Sequence, residues 1–369
     1  MKNYVIITDP LYKQILIPKE FEKFLDLPEM QRLKHIKQTS FVDQLYPNAT
    51  HTRFSHSIGV YYLMSKILQR IKTTEKDKKN LLIAALLHDI GHGPFSHMWE
   101  KVFPHFNHED ATREILEKLK LPEVQKILDK EHKFSPLISS MIDVDKLDYM
   151  ARDSYFCGVS YGLTEVDYIM QSFNVKDKKI VINKKSIPSI ENLINQRITL
   201  YKNVYYHKFS KGYEFLFEKI FERAKDMFKE GKEFYLEENM KSFFEKTNTL
   251  KNLIAVDDVA VLYHIRKWAE NEDKNLSDLA KRFLERKSFK ILNLNYQKVN
   301  IDRIRKKVEE KYDSKYYFGH VKSKIKVIEN DIVVDFHGKE KKIENLSDTF
   351  KFFKQQNHEI EYLIFPKDV

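Results

Sequence analysis

Histidine is concentrated in one stretch of the chain. Seven of the fourteen (51, 56, 88, 92, 97, 105 and 108) fall within 58 residues, and five of the nine glycines, from Gly59 to Gly162, surround them. The pair His88-Asp89 ends the apolar run Leu81–Leu87. Charged groups at the end of a buried helix are expensive unless something compensates them, and a divalent cation would. Successive helical side chains point about 100° apart, so both reach one ion only where the helix stops. Gly91-His92-Gly93-Pro94 stops it, since Pro94 cannot continue the hydrogen-bond ladder. His56, near the start of the preceding helix, can supply a third ligand. Asp145 can supply a fourth, because it opens a helix whose N-terminal dipole favours an ionised carboxylate. Two imidazoles and two carboxylates form a mixed N/O site suited to Fe, Mn, Zn, Ni or Co, with positions left for water and a phosphate oxygen.

His92, His97 and His108 lie within twenty residues of that pair. Imidazoles with pKa about 6.5 bind phosphate as cations or transfer protons. Glu100 and Glu109 are placed to orient two of them. His105, between Pro104 and Phe106, is assigned to packing, as are His35, His132 and His264. Two helical faces carry a second set: Asp145, Tyr149 and Arg152/Asp153, then Arg197, Tyr201, Tyr205 and Lys208. Cations and aromatic rings on one face suit a nucleotide, Arg on phosphate and Tyr against sugar or base; an amphipathic helix burying its tyrosines gives the same spacing. No Walker, dinucleotide-fold or His-Glu-x-x-His motif occurs.

The elements that must position these groups read as mostly helical. Two short strands at 5–7 and 13–17 flank Asp9-Pro10. Helices are predicted over 21–38 with Pro28 interrupting, 55–71, 78–90, 108–120, 145–154 and 164–172. Further helices are predicted at 190–230, 258–270, 275–287 and 300–311, a region with no proline between Pro188 and Pro366. Strands are predicted at 324–328, 331–336 and 359–365, with a short helix before the last. This divides the chain into a core with its hairpin (1–235), a helical extension (236–315) and a small α+β region (316–369). The longest all-aliphatic run is seven residues, against about 20 for a membrane span. No signal peptide is visible, and the lone Cys157 excludes a disulfide framework, so a cytoplasmic location is expected. Residues 1–170 balance 23 basic against 23 acidic side chains, so the whole net charge of +10 lies in 171–369. Such a surface attracts polyanions, nucleic acid among them, or is simply solvated.

His56…His88-Asp89…Asp145 resembles the signature of HD-domain phosphohydrolases. Longer passages resemble the dNTP triphosphohydrolase branch, including the catalytic core of the human sterile-alpha-motif and HD-domain protein. They are Thr8-Asp9-Pro10, Leu27-Pro28-Glu29-Met30-Gln31-Arg32-Leu33-Lys34, Arg53-Phe54-Ser55-His56-Ser57, the block from His88 to His97, Asp143-Val144-Asp145-Lys146 and Tyr149-Met150-Ala151-Arg152-Asp153. The resemblance covers about residues 5–210 and implies an HD-type helical core. It also implies hydrolysis of a dNTP to deoxynucleoside and triphosphate by attack at the α-phosphorus. Carried over by position, His56, His88, Asp89 and Asp145 hold the metal, with Mg²⁺ on the substrate phosphates. His97 serves the leaving 5′ oxygen, and His92, His108 and Glu109 surround the phosphates. Arg53, Lys146 and Arg197 bind phosphate oxygens. Gln38 and Asp153 hold the 3′-hydroxyl beside Tyr149, and Tyr205 presses on C2′. Asp26, Gln31 and Lys34, with Arg32 beside them, match positions that read a guanine effector between subunits, which implies a homo-oligomer of at least two chains. Thr39 stands where the family has a bulkier apolar residue, Tyr206 where it has an amide and Glu100 where it has Asp. The rival readings are an HD enzyme for another phosphate ester, such as a nucleoside monophosphate or a signalling nucleotide, and a non-catalytic nucleotide- or nucleic-acid-binding protein.

Overall fold

A computed structural model describes residues 3–162, 165–324, 327–328, 331–355 and 359–369. The described residues are mostly helical, with three small sheets among them. At the N-terminus, β1 (Tyr4–Asp9) pairs antiparallel with β2 (Lys13–Pro18), from Tyr4 opposite Pro18 to Asp9 opposite Lys13. Asp9 closes the turn: its Oδ1 accepts the backbone N–H groups of Leu11 (2.9 Å) and Tyr12 (3.0 Å). Ile15 and Ile17 face the core.

The helix predicted over 21–38 is broken. It runs as Glu22–Leu25 and Pro28–Arg32, with 3-10 turns at Lys19–Phe21 and Leu33–His35. From Ile36 the chain is extended, because its backbone is used elsewhere: Gln38 N–H donates to His51 O (3.0 Å) and Arg53 N–H to Ile36 O (2.9 Å). This edge will matter for the site.

Helix Arg53–Ile67 starts on a capping box, with Thr52 and Ser55 exchanging side-chain and backbone bonds. It is paired with helix Glu75–Leu87, capped by Thr74, whose residues Leu81 to Leu87 are all buried. Gly91 follows because nothing larger fits: a Cβ there would lie 2.3 Å from His108 O. Helix Val144–Cys157 is capped by Asp143, which accepts Lys146 N–H (2.8 Å), and ends at Gly158 with φ +67°.

The long helix predicted over 190–230 is bent in two. Ile187–Leu200 widens into a π turn at Tyr201–Tyr205, and Lys208–Lys229 restarts after His207. Helices Asp258–Trp268 and Lys274–Leu284 fold onto this bent rod. Trp99, Phe221, Phe243 and Trp268 lock them together, with ring centroids 5.1 to 5.8 Å apart.

The strands past residue 315 pair with one another and also with earlier strands. β3 (Phe173–Lys176), β4 (Lys179–Asn183), β7 (Val333–Phe336) and β8 (Lys339–Lys342) form one sheet, with Val181 parallel to Val333. β5 (Lys290–Asn293), β9 (Glu359–Phe365) and β6 (Gly319–Lys324) form another. The strand predicted over 324–328 falls partly on 325–326, outside the described residues. Among the described residues no helix is long and apolar enough to cross a membrane.

Candidate functional site

Four side chains from three helices meet at one point. His56 Nε2 lies 3.0 Å from Asp145 Oδ1 and 3.3 Å from His88 Nε2. His88 Nε2 lies 3.4 Å from Asp89 Oδ1, and His56 Nε2 lies 3.9 Å from Asp89 Oδ2. His88 and Asp89 can both reach in because the helix ends at Leu87.

The second ring nitrogen of each histidine settles its orientation. His88 Nδ1–H faces Ala85 O (3.0 Å), and His56 Nδ1–H faces Asp148 Oδ2 (2.8 Å). Both Nε2 lone pairs are therefore turned toward the shared centre, as metal-ligating imidazoles require. Burial works against a charged His56, yet hydrogen bonds to Asp145 and Asp148 raise it to about 10. The carboxylates around the ring thus favour a cation at this point, and with the Nε2 proton displaced this two-nitrogen, two-oxygen set fits a divalent transition metal.

Asp148 was missed by sequence reasoning, and so was the assembly behind it. Arg152, fully buried, donates to both Asp148 oxygens (2.9 and 3.0 Å) and to Asp9 Oδ2 (2.8 Å). Arg152 therefore does not share the pocket face of Asp145 and Tyr149; it sits one step round the helix and braces His56. The i, i+4 pair of Asp148 and Arg152 on one helix was the available signal.

Asp89 is held from the other side. Burial opposes its charge, but Arg53 and then His88 and His92 keep it well below the usual carboxylate range. Arg53 Nη1 is 2.5 Å from Asp89, and Arg53 Nε donates to Ser96 Oγ (2.8 Å). Burial, with Arg53 next, drives His92 well below its ordinary value, so its ring is neutral. His92 stacks on His108 at 4.0 Å. Glu100 accepts from both His108 Nδ1 (2.7 Å) and the more distant His97 Nδ1 (3.3 Å). His97 projects into solvent with its side chain 71 % exposed. Glu109 is not brought to this cluster: its carboxylate is 65 % exposed, 3.9 Å from Arg113.

The turn that carries His97 is strained. Phe95 and Ser96 both have positive φ (51° and 57°), which costs about 1–3 kcal/mol each for residues with a side chain. Such a conformation persists only where surrounding contacts impose it.

A cleft of about 520 Å³ opens beside the centre, lined by Gln38, Thr39, Arg53, His97, Tyr149, Asp153, Tyr201, Tyr205 and Tyr206 among others. The π turn lets Tyr201, Tyr205 and Tyr206 all reach it; Lys208, beyond the bend, is exposed. Asp153 accepts from His51 Nε2 (2.7 Å) and Tyr205 OH (2.5 Å). Gln38 Oε1 and Thr39 Oγ1 are buried without a protein partner. Arg197 is 4 % exposed, and no carboxylate lies within ion-pair distance of it among the described residues; its Nε is also without a partner. Lys146 reaches Asp143 at 2.9 Å. The C-terminal region supplies a wall: Ser323 of β6 lines the cleft, and Tyr362 OH of β9 donates to Tyr206 O (2.9 Å).

Asp26, Gln31 and Lys34, the positions matching an effector site, sit along the broken N-terminal helix. Gln31 spends its amide locally, Nε2 on Leu25 O (2.7 Å) and Oε1 on Lys34 Nζ (2.7 Å), while Asp26 is exposed. Arg32 turns inward and is 6 % exposed.

Comparison with known proteins agrees with this geometry. The HD-domain family model matches residues 53–153, spanning all four candidate ligands, and the HD-associated-region model matches 165–351. The chain belongs to the HD-domain phosphohydrolase family. YwfO of Bacillus subtilis is 34 % identical over 315 residues, 79 % of this chain and 72 % of that protein. The deoxynucleoside triphosphate triphosphohydrolase SAMHD1 homolog of Dictyostelium discoideum is 30 % identical over 310 residues, 74 % of this chain and 60 % of that one. The crystal structure of a phosphohydrolase from Bacteroides thetaiotaomicron superimposes on this HD-family chain with a TM-score of 0.91 at 28 % identity, covering 99 % of this chain and 100 % of that one.

Proposed function

We propose that the chain hydrolyses deoxynucleoside triphosphates to deoxynucleoside and triphosphate, using a divalent transition metal held by His56, His88, Asp89 and Asp145. The observation that carries this reading is Arg197, a buried guanidinium with no carboxylate partner among the described residues, close to the cleft. Its guanidinium meets the ring of Tyr201 on the cleft wall (5.6 Å) and Met141 Sδ (3.9 Å), weak partners for a buried cation, and a polyphosphate supplies the missing anion. The metal, when bound, supplies Lewis-acid activation of a water and of the α-phosphoryl oxygen. The chain's own residues do the rest. Arg197, Lys146 and Arg53 hold phosphate oxygens. His97, oriented by Glu100, donates a proton to the leaving 5′ oxygen, with His92 and His108 beside it. Gln38 accepts from the 3′-hydroxyl, Asp153 and Tyr149 frame the sugar, and Tyr205 closes the space a ribose 2′-hydroxyl needs. Asp26, Gln31 and Lys34 read a guanine nucleotide at a contact between subunits, and the enzyme works in the cytoplasm.

Incubating the purified protein with each dNTP and NTP plus Mn²⁺, and separating products by chromatography, tests the reading. Triphosphate and deoxynucleoside are expected. Orthophosphate alone, or turnover of monophosphates only, would replace it with a different phosphohydrolase.

A further inference from the structure

The helical extension is tied to two segments that lead into the cleft. Asp258 stands in the first turn of helix Asp258–Trp268 and is 3 % exposed. Its two carboxylate oxygens each accept a backbone N–H from a segment far away in sequence: Oδ2 from Lys37 (2.9 Å) and Oδ1 from Phe95 (2.6 Å). Lys37 belongs to the extended edge that leads into Gln38. Phe95 is the first of the two residues with positive φ immediately before His97. The same two segments touch directly, since Ser96 Oγ donates to Lys37 O (3.0 Å) while accepting from Arg53. Ser40 Oγ donates to Phe95 O (2.8 Å), holding the peptide that follows Phe95 as Asp258 holds the one before it. A second strap runs parallel: Arg32 donates to His92 O (2.5 Å) and to Val256 O (3.2 Å), two residues before Asp258.

We propose that Asp258 is a positioning residue, clamping the His97 turn and the Gln38 edge into one register so that the proton donor and the sugar contact face the same substrate. This rests on the functional reading above. The role belongs to Asp because the geometry needs two acceptors on one short side chain. Asn offers one acceptor, and its NH₂ would face the other N–H. None of the four candidate metal ligands bonds to Asp258, so the clamp acts on proton transfer and sugar placement while leaving metal binding alone. It also gives the extension a task that packing does not require: Asp258 is a buried acid, and burial pushes its carboxyl up to about 7 against the two N–H bonds that favour its charge.

The test is Asp258→Asn in the full-length, Mn²⁺-loaded protein, with metal content, kcat, KM and amide hydrogen exchange measured together. The proposal expects parental metal content and a fall in kcat of roughly 10- to 100-fold, the size seen when a supporting contact lets a site drift. KM should change far less. Exchange should rise in peptides covering 36–39 and 92–98 and stay parental across 56–64. Parental kcat with parental exchange overturns the clamp. So does a uniform rise in exchange along the whole chain, which would make Asp258 a general packing residue. Should Asp258→Asn fail to give a cooperative unfolding transition, Ser40→Ala takes its place. Loss of that hydroxyl should produce the same local pattern at smaller amplitude, and parental behaviour there overturns the proposal too. If the unmutated protein hydrolyses no dNTP, the substrate reading falls, while the exchange comparison still decides whether the clamp exists.

Discussion

The two ends of the cleft are built differently. At the metal end three of the four ligands are backed by a second group: Ala85 O behind His88, Asp148 and Arg152 behind His56, and Arg53 behind Asp89, while Asp145 sits in the first turn of the helix that Asp143 caps. At the sugar and base end, Gln38 and Thr39 carry buried oxygens without protein partners, and three tyrosines project from a π turn propped by β9. Fixed polar groups with satisfied neighbours hold charge in one geometry; open valences and rings on an irregular turn leave room for a ligand to complete the site. In the proposed function the chemistry belongs to the first end and the selectivity to the second.

The sharpest way to break this contrast is at the metal end. Asp89→Ala should abolish turnover and lower bound metal, measured by elemental analysis of the purified protein; full metal and full activity in that variant would remove the basis for the division. His97→Ala should retain metal and lose roughly 10²- to 10⁴-fold in kcat, the usual contribution of a positioned proton donor. Asp148→Asn leaves all four ligands in place and tests the backing alone. Metal affinity should weaken by roughly 10- to 100-fold in a competition titration with a chelator.

The selectivity end should respond more gently. Tyr205→Ala should narrow the ratio of dATP to ATP kcat/KM by about tenfold, with kcat on dATP affected less. Equal kcat/KM for the two nucleotides in the parent would show that Tyr205 gates nothing. The smallest effect is expected from Asp26→Ala, which should remove any stimulation of dATP hydrolysis by GTP, about fivefold at the low end of allosteric coupling. Unchanged rate and oligomer size across a GTP titration in the parent would leave Asp26, Gln31 and Lys34 as ordinary surface.

The same division decided what could be read from the residues alone. His88-Asp89 after seven buried aliphatics, with His56 and Asp145 on neighbouring helices, announced the centre because metal chemistry restricts both residue type and local geometry. The backing was harder to see. Asp148, Asp9 and Asp258 are carboxylates in ordinary surroundings of sequence, and only the fold shows that each is buried on a specific donor, for Asp258 more than 160 residues from Phe95. The hairpin of β3 and β4 escaped because its turn, Asp177-Lys178, takes positive φ at both residues (47° and 55°) without the Asn-Gly or Asp-Gly that usually marks it. The helix over 190–230 looked continuous since no proline interrupts it; its bend comes from a π turn, which side-chain periodicity does not record. Glu109 carried the right charge in the right stretch, but Glu100, eight residues before His108, holds the imidazole from across a turn.

The central claim is that water attacks the α-phosphorus at the two-histidine, two-aspartate centre. Hydrolysing dATP in ¹⁸O-labelled water with the Mn²⁺-loaded protein, and weighing both products by mass spectrometry, tests it directly. The account predicts one ¹⁸O in triphosphate, none in deoxyadenosine, and no turnover after the metal is stripped by a chelator. Label appearing first in orthophosphate, or undiminished hydrolysis by the metal-free protein, would contradict it.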